Sequence, residues 1–143
     1  MDGKQNLLEA EMTENTFSQW LSGLDFEYWS TGQHKIEAPA FFEKWAKGEA
    51  VLLDVRAPEE RGFMSFQFAL EIPINELPAR LNEIPRDKLV ATFCTAGDRS
   101  NVAFAYLHTQ GFDNVRIISG GYASVIPEIW PGKVRKTLQA KNG

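Results

Sequence analysis

The sequence predicts an α/β fold: a central parallel sheet with helices on both faces, preceded by an N-terminal helical extension. The first observation is a set of apolar runs, of which Val51–Val55 and Leu89–Phe93 are continuous. Such runs are typical of parallel strands that are buried on both faces. The second observation is that segments with helical periodicity, each about ten residues long, alternate with these runs, which indicates a parallel sheet covered on both sides.

The length and composition suit one soluble domain with an extension. The chain has 143 residues, of which 43% are hydrophobic and 24% charged, close to an average globular protein. We predict three regions: an N-terminal helical extension at 1–33, the α/β domain at 34–134, and a C-terminal tail at 135–143. The extension is called the N-terminal arm below.

Charge and hydropathy exclude several classes of function. The net charge is −4, with 15 Lys and Arg against 19 Asp and Glu, so the basic footprint of a nucleic-acid-binding protein is missing. No apolar run approaches the roughly 20 residues that a membrane span needs. The first residues are acidic and lack the apolar segment of a secretory signal, so we expect a cytoplasmic protein with neither nucleic-acid nor membrane partners.

The secondary structure along the domain follows from periodicity and turn residues. The predicted strands are the two apolar runs, 70–72, and Val115–Ile118. The predicted helices are Pro39–Lys47, Asn75–Ile84, Ser100–Gln110 and Ala123–Ile129, and residues 57–69 are predicted to be a loop.

The N-terminal arm carries an apolar stripe. Phe17, Trp20, Leu21 and Leu24 follow the spacing of one face of an amphipathic helix. The stripe either packs on the domain or forms a docking or dimerisation surface, because exposed aromatic clusters are rare in monomers. A homo-oligomer joined through this arm is therefore one alternative.

The cysteine count limits the possible chemistry. Cys94 is the single cysteine, which excludes an intrachain disulfide, a CxxC redox pair and a multi-cysteine zinc site. The two histidines, His34 and His108, are too few for a His-based metal site, and we expect His108 on the surface. Cys94 is then either an inert buried residue or a nucleophile.

The position of Cys94 favours the nucleophile. It directly follows the predicted strand Leu89–Phe93, and ligands of open α/β sheets bind at the carboxyl ends of strands. A short glycine-containing loop that enters a helix directs several backbone N–H groups at one point and forms an anion cradle. A thiol there has a lowered pKa. The predicted cradle residues are Thr95, Ala96, Gly97, Asp98, Arg99 and Ser100.

Several segments in order resemble a single rhodanese domain, over about residues 34–130. They are Leu53-Asp-Val-Arg56 with Ala57-Pro-Glu-Glu60, Ile72-Pro-Ile74, Glu76-Leu-Pro-Ala-Arg80, Cys94-Thr-Ala-Gly-Asp-Arg-Ser100, Leu107…Gly111-Phe…Asn114-Val115, and Ser119-Gly-Gly121. The resemblance implies a rhodanese-like fold and a sulfurtransferase. The cysteine takes sulfane sulfur from thiosulfate or a persulfide and passes it to cyanide or a thiol, including a protein thiol. No metal or organic cofactor is implied.

The length of the cysteine loop distinguishes the enzyme classes that have this fold. Phosphatases and arsenate reductases that resemble rhodanese have five residues between cysteine and arginine, which makes room for a tetrahedral oxyanion. Here four residues separate Cys94 from Arg99, and Ser100 holds the arginine position of the phosphatase pattern. The spacing favours sulfur transfer over phosphatase or arsenate reductase activity. A binding or regulatory module without turnover is the alternative from another class.

The residues around Cys94 have predicted roles of their own. Asp54 and Arg56 are supporting residues, expected to pair with loop groups such as Glu59 or Glu60. Arg99 either binds the sulfur donor or has a structural or solvent-exposed position. Asp98 either weakens the attraction of anions to the loop or pairs with Arg99. Ser100 either caps the helix or donates a hydrogen bond to the thiolate.

One segment departs from the family pattern. Rhodanese domains usually have a sequence like G-H-I-P-G-A where this chain has Met64-Ser-Phe-Gln-Phe-Ala69, and this segment lies near the active site in the family. We expect its phenylalanines either to favour a protein partner over a small anion or to pack against the N-terminal arm.

Overall fold

A parallel sheet forms the centre of the molecule, as predicted, but it has five strands where the sequence predicted four, because the two-residue strand at Lys35–Ile36 was not predicted. The computed structural model describes residues 16–142. The strand order is β1-β5-β4-β2-β3, and every neighbouring pair is parallel. The strands are β1 (Lys35–Ile36), β2 (Ala50–Asp54), β3 (Leu70–Glu71), β4 (Leu89–Phe93) and β5 (Val115–Ile118).

Helices and short 3₁₀ segments connect the strands. The helices are α1 (16–22), α2 (Phe26–Ser30), α3 (Ala38–Ala46), α4 (Pro58–Arg61), α5 (Asp98–Thr109), α6 (Gly121–Val125) and α7 (Pro131–Asn142). The 3₁₀ segments are Ile74–Ala79, Leu81–Glu83 and Ile126–Ile129. Within residues 16–142, no helix combines the length and the apolar character that crossing a bilayer demands.

The sheet separates two apolar layers, because successive side chains of a strand point to opposite faces. Leu52 and Ala91 belong to the layer that α3 and α6 cover. Leu53 and Val90 belong to the opposite layer, covered by α5 and the 3₁₀ segments before β4. Four of these strand residues are at most 1% exposed, so the two central strands anchor both layers.

The segment 74–84 is not the predicted α-helix but two 3₁₀ segments. Pro78 lies inside the first of them. A proline has no backbone N–H and its ring clashes with the preceding turn, so a continuous α-helix cannot pass through this position. Leu77 and Ile84 are nevertheless buried, which confirms that the segment turns its predicted apolar face toward the core.

Two further boundaries differ from the sequence-based prediction. The predicted loop at 57–69 contains the short helix α4, which Pro58 begins. The helix α7 runs from Pro131 to Asn142 and so spans the predicted start of the tail at residue 135. This helix lies against α3, and the Lys141 ammonium is 4.9 Å from the centroid of the Trp45 ring.

The phenylalanines of the unusual segment 64–69 pack inside the domain. Phe66 is 5% exposed, and its ring lies 5.5 Å from Phe93 and 5.4 Å from Phe68. Phe68 contacts Phe42 and Trp45 of α3. These contacts belong to the layer opposite the N-terminal arm, so the expected contact of Phe66 and Phe68 with the arm is wrong. A protein partner favoured by this segment stays a prediction.

The N-terminal arm packs on the domain through part of its stripe. Trp20 stacks on His108, with ring centroids 5.1 Å apart, and meets Phe104 edge-on at 5.7 Å. Phe17 and Leu21 remain 44% and 51% exposed. The expected surface position of His108 is wrong, because the ring lies partly buried under Trp20 and donates from Nε2 to the Val115 carbonyl. An arm that joins two copies stays a prediction.

We expect Trp20→Ala to lower the free energy of unfolding by about 1–3 kcal/mol, because it removes a large, partly buried ring from two aromatic contacts. Thermal unfolding followed by circular dichroism measures the effect. Trp130→Ala is the matched control, since Trp130 is 60% exposed. Equal melting temperatures for the two variants would contradict the packing of the arm.

Candidate active site

The sulfur of Cys94 lies where the central strand β4 ends. Cys94 follows β4 directly and is 2% exposed. The backbone N–H groups of Gly97 and Ser100 donate to Sγ at 3.1 and 3.3 Å, and the Ser100 hydroxyl lies 3.5 Å from Sγ. The predicted convergence of N–H groups at this position is therefore present in the structure.

The helix that forms the cradle begins earlier than predicted. Gly97 precedes α5 with φ of 108°, a left-handed conformation that glycine adopts without steric cost. Asp98 is the first helical residue, so Ser100 lies inside the first turn and does not cap the helix. Of the two roles predicted for Ser100, the structure supports the contact with sulfur.

The Ser100 hydroxyl has one proton and two neighbours. It donates to the Gly97 carbonyl at 3.0 Å, and the Cys94 thiol donates to it at 3.5 Å. A hydroxyl rotates to suit its partners. Once Cys94 loses its proton, the same hydroxyl can turn its proton toward the sulfur.

Hydrogen bonds determine the titration of Cys94. Burial raises the pKa of the thiol, because a charged sulfur loses the stabilisation of water. Hydrogen bonds from the Ser100 side chain and from the N–H groups of Ser100, Gly97 and Ala96 outweigh burial. The resulting pKa of Cys94 lies below its ordinary value, so the thiolate is available nearer to neutral pH.

Two residues outside the cradle fix its position. Thr92 of β4 is fully buried, and its hydroxyl donates to the Ser100 carbonyl at 3.0 Å, which ties the strand to the first turn of α5. Gly121 lies so close that a Cβ added there would be 2.3 Å from the Thr95 carbonyl oxygen. The sequence predicted only a tight turn at Gly121, whereas the structure requires glycine for this close approach.

Arg99 is held by Glu60 and not by Asp98. The two terminal guanidinium nitrogens of Arg99, Nη1 and Nη2, contact the Glu60 carboxylate, with Nη2 to Oε2 at 2.8 Å. The Thr95 hydroxyl donates to the same carboxylate at 3.2 Å. The hydrogen bonds from Arg99 lower the pKa of Glu60 to about 2, so the pair stays charged at every ordinary pH. The expected pairing of Asp54 and Arg56 with Glu60 is therefore wrong.

Asp54 and Arg56 pair with each other instead. Both side chains are fully buried, with Nη2 to Oδ2 at 2.7 Å and Nε to Oδ1 at 2.9 Å. Arg56 also donates to the Tyr122 hydroxyl, and its guanidinium lies 5.4 Å from the centroid of the Phe93 ring. These contacts connect the end of β2 to α6, and they support the structural role predicted for the two residues.

We expect Ser100→Ala to raise the pKa of Cys94, because the variant removes the side-chain hydrogen bond while the backbone donors remain. The pH dependence of iodoacetamide alkylation reports the midpoint, which for the wild type falls below the free-thiol value of about 8.5. Ser124→Ala serves as the control, since Ser124 bonds the Gly121 carbonyl and not the sulfur. A midpoint unchanged by Ser100→Ala would show that the hydroxyl does not stabilise the thiolate.

Several known proteins have sequences similar to this chain. The sulfurtransferase of Allochromatium vinosum is 37% identical over 89 residues, which cover 62% of this chain and 83% of that protein. The tRNA uridine(34) hydroxylase of Xanthomonas campestris pv. campestris is 34% identical over 111 residues. That match covers 68% of this chain but 44% of the hydroxylase, so the chain spans less than half of that relative.

Solved structures agree with the sequence comparison. A rhodanese-related protein from Thermoplasma volcanium superposes with a TM-score of 0.58 at 35% identity, over 68% of this chain and 95% of its own. The human single-domain sulfurtransferase gives a TM-score of 0.57 at 25% identity, over 68% and 98%. The sequence pattern of the rhodanese-like domain matches residues 38–127. The protein, with more than half of its chain in that match, therefore belongs to the rhodanese-like domain family.

Proposed function

We propose that this protein is a sulfurtransferase that carries sulfane sulfur as a persulfide on Cys94. The observation that carries the proposal is the group of N–H donors around a sulfur that is 2% exposed. Such donors stabilise a thiolate, and the thiolate is the nucleophilic form of cysteine. The sulfurtransferase relative of which this chain covers 83% supports the same chemistry.

The first half-reaction loads the cysteine. The Cys94 thiolate attacks the outer sulfur of a donor, R–S–S⁻ or thiosulfate. A new S–S bond forms, the donor's own S–S bond breaks, and the donor leaves as a thiolate or as sulfite. The N–H groups of Gly97 and Ser100 are placed to stabilise negative charge on sulfur before and after the transfer.

The second half-reaction unloads the cysteine. An acceptor thiolate attacks the outer sulfur of the persulfide, the S–S bond to Cys94 breaks, and the Cys94 thiolate returns to the cradle. This sequence contains one cysteine, so a second cysteine of the same chain cannot resolve the persulfide as a disulfide. The acceptor, a thiol or cyanide, is therefore external to this sequence.

The charges near the loop favour persulfide donors over thiosulfate. Thiosulfate is a dianion, and Arg99 is the cation that the Cys94 loop supplies. The Glu60 carboxylate contacts Nη1 and Nη2 of Arg99, so the positive charge of Arg99 is already neutralised. The net charge of −4 gives no steering toward a dianion either.

Two other functions have less support. The hydroxylase relatives are more than twice as long as the match, and the acidic charge of this chain disfavours tRNA as a partner. A binding module without turnover is disfavoured by the lowered pKa of Cys94, because a thiol that only packs in a core needs no anion cradle.

We expect incubation with a persulfide donor to add about 32 Da, one sulfur atom, to the intact protein, since the thiolate of Cys94 is the nucleophilic form of the side chain. A reductant removes the added mass, and Cys94→Ser abolishes it. Intact mass spectrometry is the measurement. A wild-type protein that gains no mass with thiosulfate or with any persulfide donor would leave the binding module as the better description.

We expect Glu60→Gln to raise kcat/KM for thiosulfate by roughly fivefold, because one unpaired charge close to an anion is worth about 1 kcal/mol in water. The gain falls at high ionic strength, since exposed charges are screened. Glu59→Gln is the matched control: it removes the same charge from the same helix but leaves the Glu60–Arg99 pair intact. Equal effects of the two substitutions would show that Arg99 is not what limits thiosulfate.

A further inference from the structure

Exposed apolar side chains concentrate in two short segments of the chain. Within residues 16–142, ten large apolar side chains are exposed, and eight of them lie either in the N-terminal arm or in residues 129–138. They are Phe17, Leu21, Phe26 and Trp29 in the first segment, and Ile129, Trp130, Val134 and Leu138 in the second. Concentrated apolar surface marks an interaction site, whereas scattered single side chains do not.

The second segment presents its apolar side chains along one side of α7. Trp130 directly precedes the helix, and Val134 and Leu138 follow at intervals of four residues, so the three lie in one row, the C-terminal stripe. No residue of α7 is buried. A helix of this length gains most of its stability from packing, and the domain supplies α7 with little of it. The stripe is therefore available to another molecule.

The first segment borders a groove between the arm and α5, which we call the arm groove. Its volume is about 610 Å³, within the size range of binding clefts. The side chains that form its walls are mainly apolar. They include Phe17, Leu21 and Trp29 from the arm, and Phe104 and Ala105 from α5. The groove therefore suits an apolar occupant.

The segment that carries the C-terminal stripe is strongly basic. Residues 131–142 contain four cations and no acidic residue, so the remainder of a chain with net charge −4 carries −8. Two of the cations have partners in the domain, since Lys133 pairs with Glu128 and Lys141 lies over the Trp45 ring. Within residues 16–142, Arg135 and Lys136 form no ion pair. These two charges remain for a partner.

The arm has the opposite charge. Residues 1–33 contain six acidic residues and one lysine. Among them, Asp25 and Glu27 lie between Leu24 and Trp29, which line the arm groove, and neither forms an ion pair within residues 16–142. An acidic apolar groove and a basic apolar helix are complementary in both charge and hydrophobicity.

The helix α7 cannot fill the arm groove of its own chain. It lies against α3, which covers one face of the sheet. Trp20 of the arm packs on Phe104 of α5, which covers the other face. The sheet therefore separates the stripe from the groove within one molecule, and a contact between them joins two molecules.

We propose that the C-terminal stripe of one copy of this chain lies in the arm groove of a second copy. A helix with apolar anchors laid into a groove is a common mode of recognition. A lipid surface suits the basic stripe but not the acidic arm, whereas a second copy accounts for both surfaces. The inference goes beyond the proposed sulfur transfer and is independent of it, because Cys94 does not line the groove.

The contact is heterologous, because it joins two different surfaces. Each copy in a pair still has one unused groove and one unused stripe, so the association continues into rings or open chains. We expect the sedimentation coefficient of the wild type to rise with protein concentration. High ionic strength weakens the association, since the charges that assist it are exposed.

Leu21→Glu and Leu138→Glu each remove one of the two surfaces. The leucines are 51% and 48% exposed, so both variants keep the buried core. We expect each variant to associate about tenfold or more weakly, because a carboxylate is costly in an apolar groove. Phe63→Glu is the control and associates like the wild type, because Phe63 is 96% exposed and belongs to neither surface.

A mixture of the two variants gives the decisive result. Leu21→Glu retains an intact stripe and Leu138→Glu an intact groove, so we expect an equimolar mixture to form a dimer and nothing larger. A mixture that stays monomeric while the wild type associates would overturn the proposal. So would a wild type whose association Leu138→Glu abolishes and Leu21→Glu leaves unchanged, because that pattern assigns the contact to two stripes.

A charge-reversal variant guards against an effect of Leu21→Glu on the fold of the arm. Arg135→Glu with Lys136→Glu leaves the arm unaltered, and circular dichroism checks that the variant is folded. We expect it to associate more weakly than the wild type. Unchanged association of this double variant at low ionic strength would remove the charge complementarity on which the choice of a second copy rests, and would overturn the proposal.

Anionic vesicles test the other occupant of the stripe. We expect phosphatidylglycerol vesicles to retain the wild type no more than they retain Leu138→Glu. A wild type that stays monomeric at about 1 mM, yet binds these vesicles through Leu138, would assign the stripe to a lipid surface and overturn the proposed contact between copies.

Discussion

A negative charge on a sulfur that is almost completely buried depends on backbone N–H groups that replace water. In this protein the N–H groups of Gly97 and Ser100 converge on Sγ of Cys94, and most of the local structure serves that convergence. Gly97 needs a left-handed backbone to turn its N–H inward. Thr92 holds the first turn of α5, and the missing side chain of Gly121 lets α6 approach the loop. Each of these residues fixes the position of the two N–H groups that face the sulfur.

The Asp54–Arg56 pair fixes the neighbouring end of the sheet. A buried ion pair loses the hydration of both charges, and close hydrogen bonds on several sides are needed to offset that loss. Arg56 obtains them from both carboxylate oxygens of Asp54 and from the Tyr122 hydroxyl. Because Tyr122 follows Gly121, the pair also orients the helix that approaches the Cys94 loop. The two buried charges and the reactive sulfur are therefore connected through α6.

The sequence predicted the features that depend on neighbouring residues. The strand β4 and the cradle at Cys94 follow from an apolar run and a glycine-containing loop, and both are present in the structure. The 3₁₀ segments were missed because the apolar spacing around Leu77 looks helical unless the effect of Pro78 is given more weight. A prediction that treats proline as a helix breaker inside the segment would end the α-helix at Pro78.

Other features depend on contacts between distant parts of the chain. Glu60 and Arg99 are 39 positions apart, and no local pattern indicates that they pair. The burial of His108 depends on Trp20 of the arm, and the burial of Phe66 depends on Phe93 of the central strand. The cavity lined by Trp20 and Phe104 exists only because α1 and α5 contact each other in the folded chain. Sequence periodicity predicts that a side chain is buried in an apolar contact, but it does not predict which helix or strand forms that contact.

The near-complete burial of Cys94 has a kinetic consequence. Under the proposed function, a donor's outer sulfur reaches Sγ only after the surface over it opens, and the contacts of Glu60 with Arg99 and Thr95 tie the Cys94 loop to α4. Opening of this kind commonly occurs on microsecond-to-millisecond timescales and often limits turnover. In the proposed transfer, the opening of the loop therefore precedes the attack on sulfur, and the two steps have separate rate constants.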